Sequence, residues 1–352
     1  RSVQPVLDLA NALLSHMSRH HEKKLHAERG EGDLPGLVKA ATVQEQSRFV
    51  CQLILSLREQ GEELKDVGIL FRNGRDSYDL ELELARANLP FVKWGGQKFT
   101  DAAHVRDVLA YLRVLVNASD AVAWSRLLML LDGVGEKTAG RIFEEIRQGR
   151  ELVELVEGTG QAKAGVQGLS KVLQECGKLG TDQIPAVLER VLAHYGEICS
   201  RKYDDAPKRM QDLEAFLALS AGFRDLSDLL EQTALEPVER SAVATLPGGT
   251  GPDEKPLVLS TIHSAKGMEW KTVFIIQCLD GIIPSGYSVD DPDRLDEELR
   301  LFYVAVTRAR DRLLITYPVL QGGYRDESFS NPSRFVRQAD QGLLEPWILT
   351  RD

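Results

Sequence analysis

Residues 261–270 read Thr-Ile-His-Ser-Ala-Lys-Gly-Met-Glu-Trp and lie between two runs with strand character, Leu257–Thr261 and Val273–Gln277. An imidazole, an ammonium and a carboxylate (His263, Lys266 and Glu269) share one short turn. A tight bend accounts for Gly267 and for none of the three. In open α/β sheets ligands bind beyond the carboxyl ends of the strands, so this turn is expected to face a ligand from the C-terminal end of the first strand. A second constellation, Leu299-Arg300-Leu301-Phe302-Tyr303-Val304-Ala305-Val306-Thr307-Arg308-Ala309-Arg310, reads as an apolar helix ending in arginines. Arg310 and Arg312 need no more than a favourable helix dipole. Arg308 follows directly on the apolar run, so its guanidinium is expected at a domain edge, where an arginine can stabilise phosphoryl-transfer charge across an interface. A third, Asp132-Gly133-Val134-Gly135-Glu136-Lys137, opens a helix with a Gly-x-Gly turn. Its backbone N–H groups suit a phosphate, and a plain helix-connecting turn fits equally well. The sequence contains no GxxxxGK[ST] run, Gly248–Lys255 has the wrong spacing, and no DExx strand stands out. Without a phosphate loop, this chain by itself is not expected to hydrolyse ATP.

The elements that must position these groups follow from periodicity. Helices are expected over Val3–His16, with Pro5 suited to a helix start, over Gln44–Gln60 and over Tyr78–Ala87. Strands are expected at Leu37–Ala41, at the compact apolar run Val67–Phe71 and, after the Asn88-Leu89-Pro90 turn, at Phe91–Trp94. The polar stretch His16–Gly36, with His20, His21, Lys23, Lys24 and His26, reads as a solvated helix end and loop, since no Cys or carboxylate stands at ligand spacing. From Asp101 the pattern is helical: Val105–Val116, Ala121–Leu131, Lys137–Arg147, Ile184–Tyr195 and Ala206–Leu230. Residues 244–253, Ala-Thr-Leu-Pro-Gly-Gly-Thr-Gly-Pro-Asp, carry the strongest linker signal. Strand character then returns, with Leu313–Thr316 after a helix over Leu295–Arg308. The fold class expected is α/β, a parallel sheet interrupted by a mostly helical inserted domain: 1–100 and 254–352 as one domain, 101–253 as the insertion.

Composition limits the function. The 352 residues carry 43 Lys+Arg and 53 Asp+Glu, a net charge of −10, which argues against a protein that coats nucleic acid through bulk charge but leaves room for a local basic groove. At 43% hydrophobic and 27% charged the chain is globular rather than disordered, and no stretch is apolar enough to read as a membrane span. Cys51, Cys176, Cys199 and Cys278 are far apart with no CxxC, so buried free thiols and a reducing cytoplasm are expected, with no metal site. The N-terminus, Arg1-Ser2-Val3-Gln4-Pro5, has neither Met nor a signal region and reads as an internal cut in a longer protein.

Residues 261–270 resemble motif V of the UvrD/Rep/PcrA group of superfamily-one DNA helicases, and 301–310, with the acidic lead-in Asp296-Glu297-Glu298, resemble motif VI. Leu70-Phe71-Arg72-Asn73 resembles the segment that begins the single-strand contact of the family's second RecA-like domain. Trp94-Gly95-Gly96-Gln97-Lys98-Phe99 with 105–113 resembles the start of the helical insertion. Arg1-Ser2 with Ala10-Asn11 is similar to the tail of the family's Asn-Tyr-Arg-Ser motif. The resemblance runs from Arg1 to about Trp347 and implies the second RecA-like domain, a P-loop NTPase-like sheet without the P-loop, plus its insertion. The first RecA-like domain, with the phosphate loop and the Mg²⁺ carboxylate, would precede Arg1.

That resemblance assigns roles. It makes Arg308 the arginine finger and Arg1 the second γ-phosphate arginine, with Glu269 holding the nucleotide ribose. Single-strand contacts fall to His263, Thr261, Lys98, Arg72 and Asn73, and coupling of the two sites to Lys266 and Gly267. Gly133, Gly135 and Lys137 match the insertion's duplex-binding turn, and Tyr324 the tip of a strand-separating hairpin whose ring stacks on the last base pair. There is one departure. Where the family often has Arg-Ser-Asn, this chain has Arg72-Asn73-Gly74-Arg75, so Gly74 takes the position of the DNA-contacting Asn, and Asn73 or Arg75 could substitute. The function implied is that of a 3′→5′ DNA helicase or translocase of repair or replication. It would be cytoplasmic and nucleoid-associated, using ATP and Mg²⁺ bound mainly by the N-terminal domain. Its partners would be single-stranded DNA and the single-strand/duplex junction. The helicase part of a helicase–nuclease is the alternative within the enzyme class. A non-catalytic DNA-binding or partner-docking module that has lost its motor half is the alternative outside it, disfavoured because such a module has no need of Glu269 and Arg308.

Overall fold

The computed structural model describes residues 2–17, 24–28, 31–152, 161–234, 255–322 and 327–349. Arg1, Tyr324 and the expected linker at 244–253 lie outside them. Of the described residues, 2–98, 255–322 and 327–349 form one compact unit, and 99–234 form another.

The first unit is built on a seven-stranded, fully parallel sheet of β1 (Gly36–Ala40), β2 (Val67–Phe71), β3 (Phe91–Trp94), β4 (Leu257–Thr261), β5 (Trp270–Ile275), β6 (Ala309–Pro318) and β9 (Glu345–Ile348). The strand order is β3-β4-β2-β5-β6-β1-β9. A parallel sheet needs cover on both faces, and alternate residues of the strands supply two cores. Val273 and Ile275 of β5 and Leu70 of β2 pack with helices α1 (Gln4–Ser15), α11 (Pro292–Val306) and α12 (Arg334–Gln338). Phe274 of β5 and Ile69 and Phe71 of β2 face the other way, toward α2 (Val43–Glu59) and α3 (Tyr78–Arg86). Strand β2, Val-Gly-Ile-Leu-Phe, is buried throughout. Its glycine answers to a close approach: a Cβ on Gly68 would lie 2.4 Å from the Trp270 indole.

Helix starts are fixed by side chains. The Thr42 hydroxyl accepts the Glu45 N–H at 3.2 Å, and the Glu45 carboxylate reaches back to the Ala41 N–H. Asp291 caps α11 through the N–H groups of Asp293 (3.0 Å) and Arg294 (3.3 Å), with Pro292 in the first turn. Strands β7 (Leu320–Gly322) and β8 (Glu327–Phe329) pair as an antiparallel ribbon.

Between β3 and β4, which are neighbours in the sheet, the chain makes the second unit. It contains α4 (Ala103–Val116), α5 (Ala121–Leu128), α6 (Glu136–Arg147), α7 (Gln161–Gly177), α8 (Ile184–Lys202), α9 (Ala206–Ser220) and α10 (Leu226–Ala234). A buried carboxylate ties three of them together: Asp107 accepts the Arg126 Nε–H and the Tyr195 hydroxyl, both at 2.7 Å.

Several expected boundaries move. The single helix expected over 206–230 is two, because the Asp225 side chain caps α10 by accepting the Asp228 N–H at 2.9 Å. Helix α8 continues seven residues beyond Tyr195, and α7 and β9 were not apparent in the sequence pattern. The helix before Arg308 ends at Val306, so Arg310 and Arg312 belong to β6 and not to a helix C-terminus. All four cysteines are buried free thiols. Among the described residues no helix is long and apolar enough to cross a membrane.

Substituting Gly68 by Ala forces a methyl group into the Trp270 ring at the centre of the sheet. We expect a loss of about 1–3 kcal/mol in urea unfolding. Unchanged stability would contradict the packing described for β2 and β5.

Candidate nucleotide and nucleic-acid edges

Because β4 and β5 are parallel, the residues between them must return from the C-terminal edge of the sheet to its N-terminal edge. The segment 262–269 makes this crossing, and a five-residue strand sets the span at roughly 16 Å. It does so in successive turns: Ala265 N–H donates to Thr261 O (3.1 Å), and Met268 N–H to Ala265 O (3.0 Å). His263, Lys266 and Glu269 therefore do not share one turn at the end of β4, as the sequence had indicated. His263 stays at the C-terminal edge, and Glu269 is delivered to the opposite edge, directly before Trp270 of β5. All three side chains are exposed.

At the N-terminal edge, motif V and motif VI are bonded to each other. Trp270 N–H donates to Arg308 O at 3.0 Å, and the Arg308 Nη1–H donates to Met268 O at 2.9 Å. The same guanidinium reaches Val304 O through Nε (3.1 Å) and the Thr307 hydroxyl through Nη2 (3.2 Å). Arg308 thus does not project from a domain edge as expected. It is half-buried and folded back on the last turn of α11, one residue from Glu269. Val3 N–H donates to Arg310 O at 2.9 Å, which brings the start of the chain to this edge.

At the C-terminal edge the strand order places the ends of β3, β4 and β2 side by side. Gly95, at φ +83°, packs on the turn after β4 so closely that a Cβ would lie 2.4 Å from Thr261 Oγ1 and 2.5 Å from Ser264 Oγ. Thr261 is itself buried, and its hydroxyl donates to Ser264 Oγ at 3.0 Å while accepting the Ser264 N–H at 3.3 Å. It shapes the turn that presents His263. The Lys98 ammonium lies 5.4 Å from the Phe91 ring centre, and Trp94 is half-exposed.

After β2, Asn73 caps a short turn. Its N–H (2.7 Å) and its side-chain amide (3.1 Å) both donate to the Asp76 carboxylate. Beneath the turn, the buried Lys93 ammonium donates to Glu81 at 2.6 Å and to Gly74 O at 2.9 Å. Arg72 is held by a carboxylate of α11. Its Nη2–H donates to Glu298 Oε1 at 2.7 Å and its Nε–H to both carboxylate oxygens at 3.2 Å. Arg72 therefore ties this edge to α11, with 23% of its side chain still exposed. Glu81 and Lys93 carry no functional signal in the sequence, and Glu298 appears there only within the acidic lead-in to the second motif. Glu298 did carry a signal there: it stands one residue before Leu299, on the apolar stripe of α11.

A cavity of about 460 Å³ opens between the crossing segment and the outer face of α11. It is lined by His263 and Lys266 on one side and by Asp293, Glu297 and Arg300 on the other.

In the helical unit, Val134 is buried and anchors the Gly133-Val134-Gly135 turn, with Gly133 at φ +77°. Gly135 is the N-cap of α6 without a side-chain cap bond, so the first amides of the helix stay available beside exposed Lys137. Among the described residues no group of three or more His, Cys, Asp or Glu side chains is arranged to hold a metal.

Burial pushes the Asp76 carboxyl from 3.8 up to about 6, although the Asn73 backbone bond, Arg75 and the Asn73 amide oppose the shift. Asp79 is pushed to about 6 mainly by burial as well. An acid whose pKa is raised by folding contributes stability that is complete below its unfolded pKa. That contribution is lost as pH rises through the folded pKa. Stability of this unit is therefore expected to fall between about pH 4 and pH 6, by up to about 3 kcal/mol for each group. The double substitution Asp76→Asn/Asp79→Asn should flatten that slope in urea unfolding. A slope unchanged by both substitutions would contradict this assignment.

The UvrD-like helicase C-terminal domain family matches residues 1–319. DNA helicase II of Escherichia coli (strain K12) is 29% identical over 359 residues, which cover 98% of this chain and 50% of that protein. ATP-dependent DNA helicase PcrA of Leuconostoc citreum is 29% identical over 370 residues, covering 98% and 48%. The chain spans about half the length of these curated relatives. A solved C-terminal domain of a possible DNA helicase from Lactobacillus plantarum WCFS1 aligns over 98% of this chain and 97% of its own, with a TM-score of 0.37 and 10% identity. With nine-tenths of its length, including both motif-bearing edges of the sheet, inside the match, the chain belongs to the UvrD-like helicase C-terminal domain family.

Proposed function

We propose that this chain is the C-terminal motor half of an ATP-dependent 3′→5′ DNA helicase or translocase of bacterial repair or replication, acting in the cytoplasm. The observation that carries the reading is the crossing of one sheet by residues 262–269. This single segment has His263 at one edge and ends at Glu269, beside Arg308, at the other. A ligand at either edge therefore touches the same short stretch of chain.

At the N-terminal edge Arg308 serves as the arginine finger. Its guanidinium now donates to the neutral carbonyls of Met268 and Val304. A γ-phosphate offers charge-assisted bonds roughly twice as strong, so an incoming nucleotide can draw the side chain off these acceptors. Glu269 suits a ribose hydroxyl. Arg1, outside the described residues, is proposed as the second phosphate arginine, next to the Ser2–Val3 segment that reaches this edge. The phosphate loop and the carboxylates for Mg²⁺ belong to an N-terminal RecA-like domain. Glu269 is one carboxylate among arginines, which fits a nucleotide's phosphate and sugar better than a divalent ion. At the C-terminal edge, His263, Asn73 and Lys98 are proposed to meet the backbone of single-stranded DNA, with Thr261 shaping the turn. Lys266 and Gly267 lie in the crossing and transmit between the edges. Gly133, Gly135 and Lys137 are proposed to take a duplex phosphate at the α6 N-terminus. Tyr324 is proposed as the aromatic tip of the strand-separating hairpin.

Two outcomes test this reading. The 352-residue chain alone should show no DNA-stimulated ATPase, since it has no phosphate loop. In the whole protein, Arg308→Ala should lower ATP turnover by about 10³-fold or more while single-strand affinity stays within a few-fold. Loss of DNA binding on that substitution, or turnover by the isolated chain, would contradict the roles assigned.

A further inference from the structure

The Glu298 carboxylate is a junction of three elements. It sits on α11, 5% exposed. It accepts the Arg72 guanidinium from the end of β2 and, at 3.1 Å through Oε2, the Ser285 N–H from the loop that follows β5. Both partners approach from the C-terminal edge of the sheet. Arg72 directly precedes Asn73, so the turn proposed to meet the DNA strand is covalently attached to the cation that Glu298 holds.

From Glu298 the helix continues without a break to Val306, about 12 Å. Leu299, Phe302, Ala305 and Val306 lock it into the core, so it moves as a rod or not at all. At its far end the Val304 carbonyl accepts the Arg308 Nε–H, and Arg308 stands two residues beyond the helix, so the last turn sets the place from which that guanidinium can be drawn to a phosphate. The 72–75 turn is thus joined to Arg308 through one buried carboxylate and one helix.

In the buried Lys93–Glu81 pair the residues are 12 apart, and the ammonium also donates to Gly74 O and lies over the Phe71 and Tyr78 rings, all groups of the β2–β3 region. Arg72 and Glu298 are 226 residues apart and join the C-terminal edge to the helix that leads to the other. A buried pair is weak evidence for stability, because apolar replacements of similar size are often neutral; fixing register between elements is its better-attested use.

We propose that Glu298 is the positioning residue through which strand engagement at the C-terminal edge sets the place of Arg308 at the N-terminal edge. Glu298 touches neither ligand and acts through Arg72 and α11. This inference rests on the function proposed above.

The test uses the whole protein and a single-stranded oligothymidylate. ATP turnover with and without the oligonucleotide, its affinity and the thermal midpoint are measured for the wild type, for Glu298→Gln and for the double substitution Arg72→Met/Glu298→Met. The double substitution replaces the pair by apolar side chains and guards against mere misfolding. The expected result is a fall of about ten-fold in stimulation by the oligonucleotide for both variants, the size of a typical coupling. Glu298→Gln keeps its basal turnover within about two-fold, and the double variant keeps its thermal midpoint. Wild-type stimulation in a folded double variant would overturn the inference, as would equal losses of basal and stimulated turnover. A wild type without any stimulation would overturn instead the functional reading on which it rests.

Discussion

In an all-parallel sheet each strand must begin at the edge where its neighbour began, so every connection carries the chain back from the C-terminal edge to the N-terminal edge. Most connections in this unit do so through a helix packed on one face. Between β4 and β5 only residues 262–269 are available, and they run directly across. This constraint decides where the chemistry lies. A segment that begins at one edge and ends at the other places its polar residues, His263 and Glu269, at opposite edges. Its first residues face whatever binds beyond the ends of β2, β3 and β4, and its last face whatever binds before β5 and β6.

The second link between the edges is α11. It runs beside the crossing segment, and each end is fastened by side-chain to backbone or ion-pair contacts rather than by packing alone. Glu298 gathers Arg72 and Ser285 near one end. Arg308 bonds Val304 and Met268 at the other, so the helix and the crossing segment meet at one guanidinium. The bonds between Trp270 N–H and Arg308 O and between Val3 N–H and Arg310 O extend the same arrangement to the first residues of the chain. Two continuous segments thus span the unit from edge to edge, the crossing and α11, and both end beside Arg308.

Much of this was legible in the sequence where local pattern and burial coincide. Strand β2 is a run of five residues buried on both faces, and its ends were placed at Val67 and Phe71 from the apolar run alone. Periodicity marks the helical region, but α7 does not stand out in it because Gly165, Gly168 and Gly177 dilute its pattern of Val166, Leu169 and Val172. The joint between α9 and α10 was hidden because a cap at Asp225 depends on geometry that the spacing of apolar residues does not report. The residue types of motifs V and VI were evident, but the separation of His263 from Glu269 was not. It follows from strand direction, a property of the assembled sheet. The partner of Arg72 lies 226 residues away, beyond the reach of any local pattern.

The central claim is that one sheet serves two ligands at opposite edges. Amide hydrogen exchange on the whole protein, with a non-hydrolysable ATP analogue or with a single-stranded oligonucleotide, tests it most directly. The account predicts that the nucleotide protects the amides of 268–270 and 308–310, and that the oligonucleotide protects those of 73–75, 94–98 and 262–264. Protection of the same edge by both ligands would contradict it.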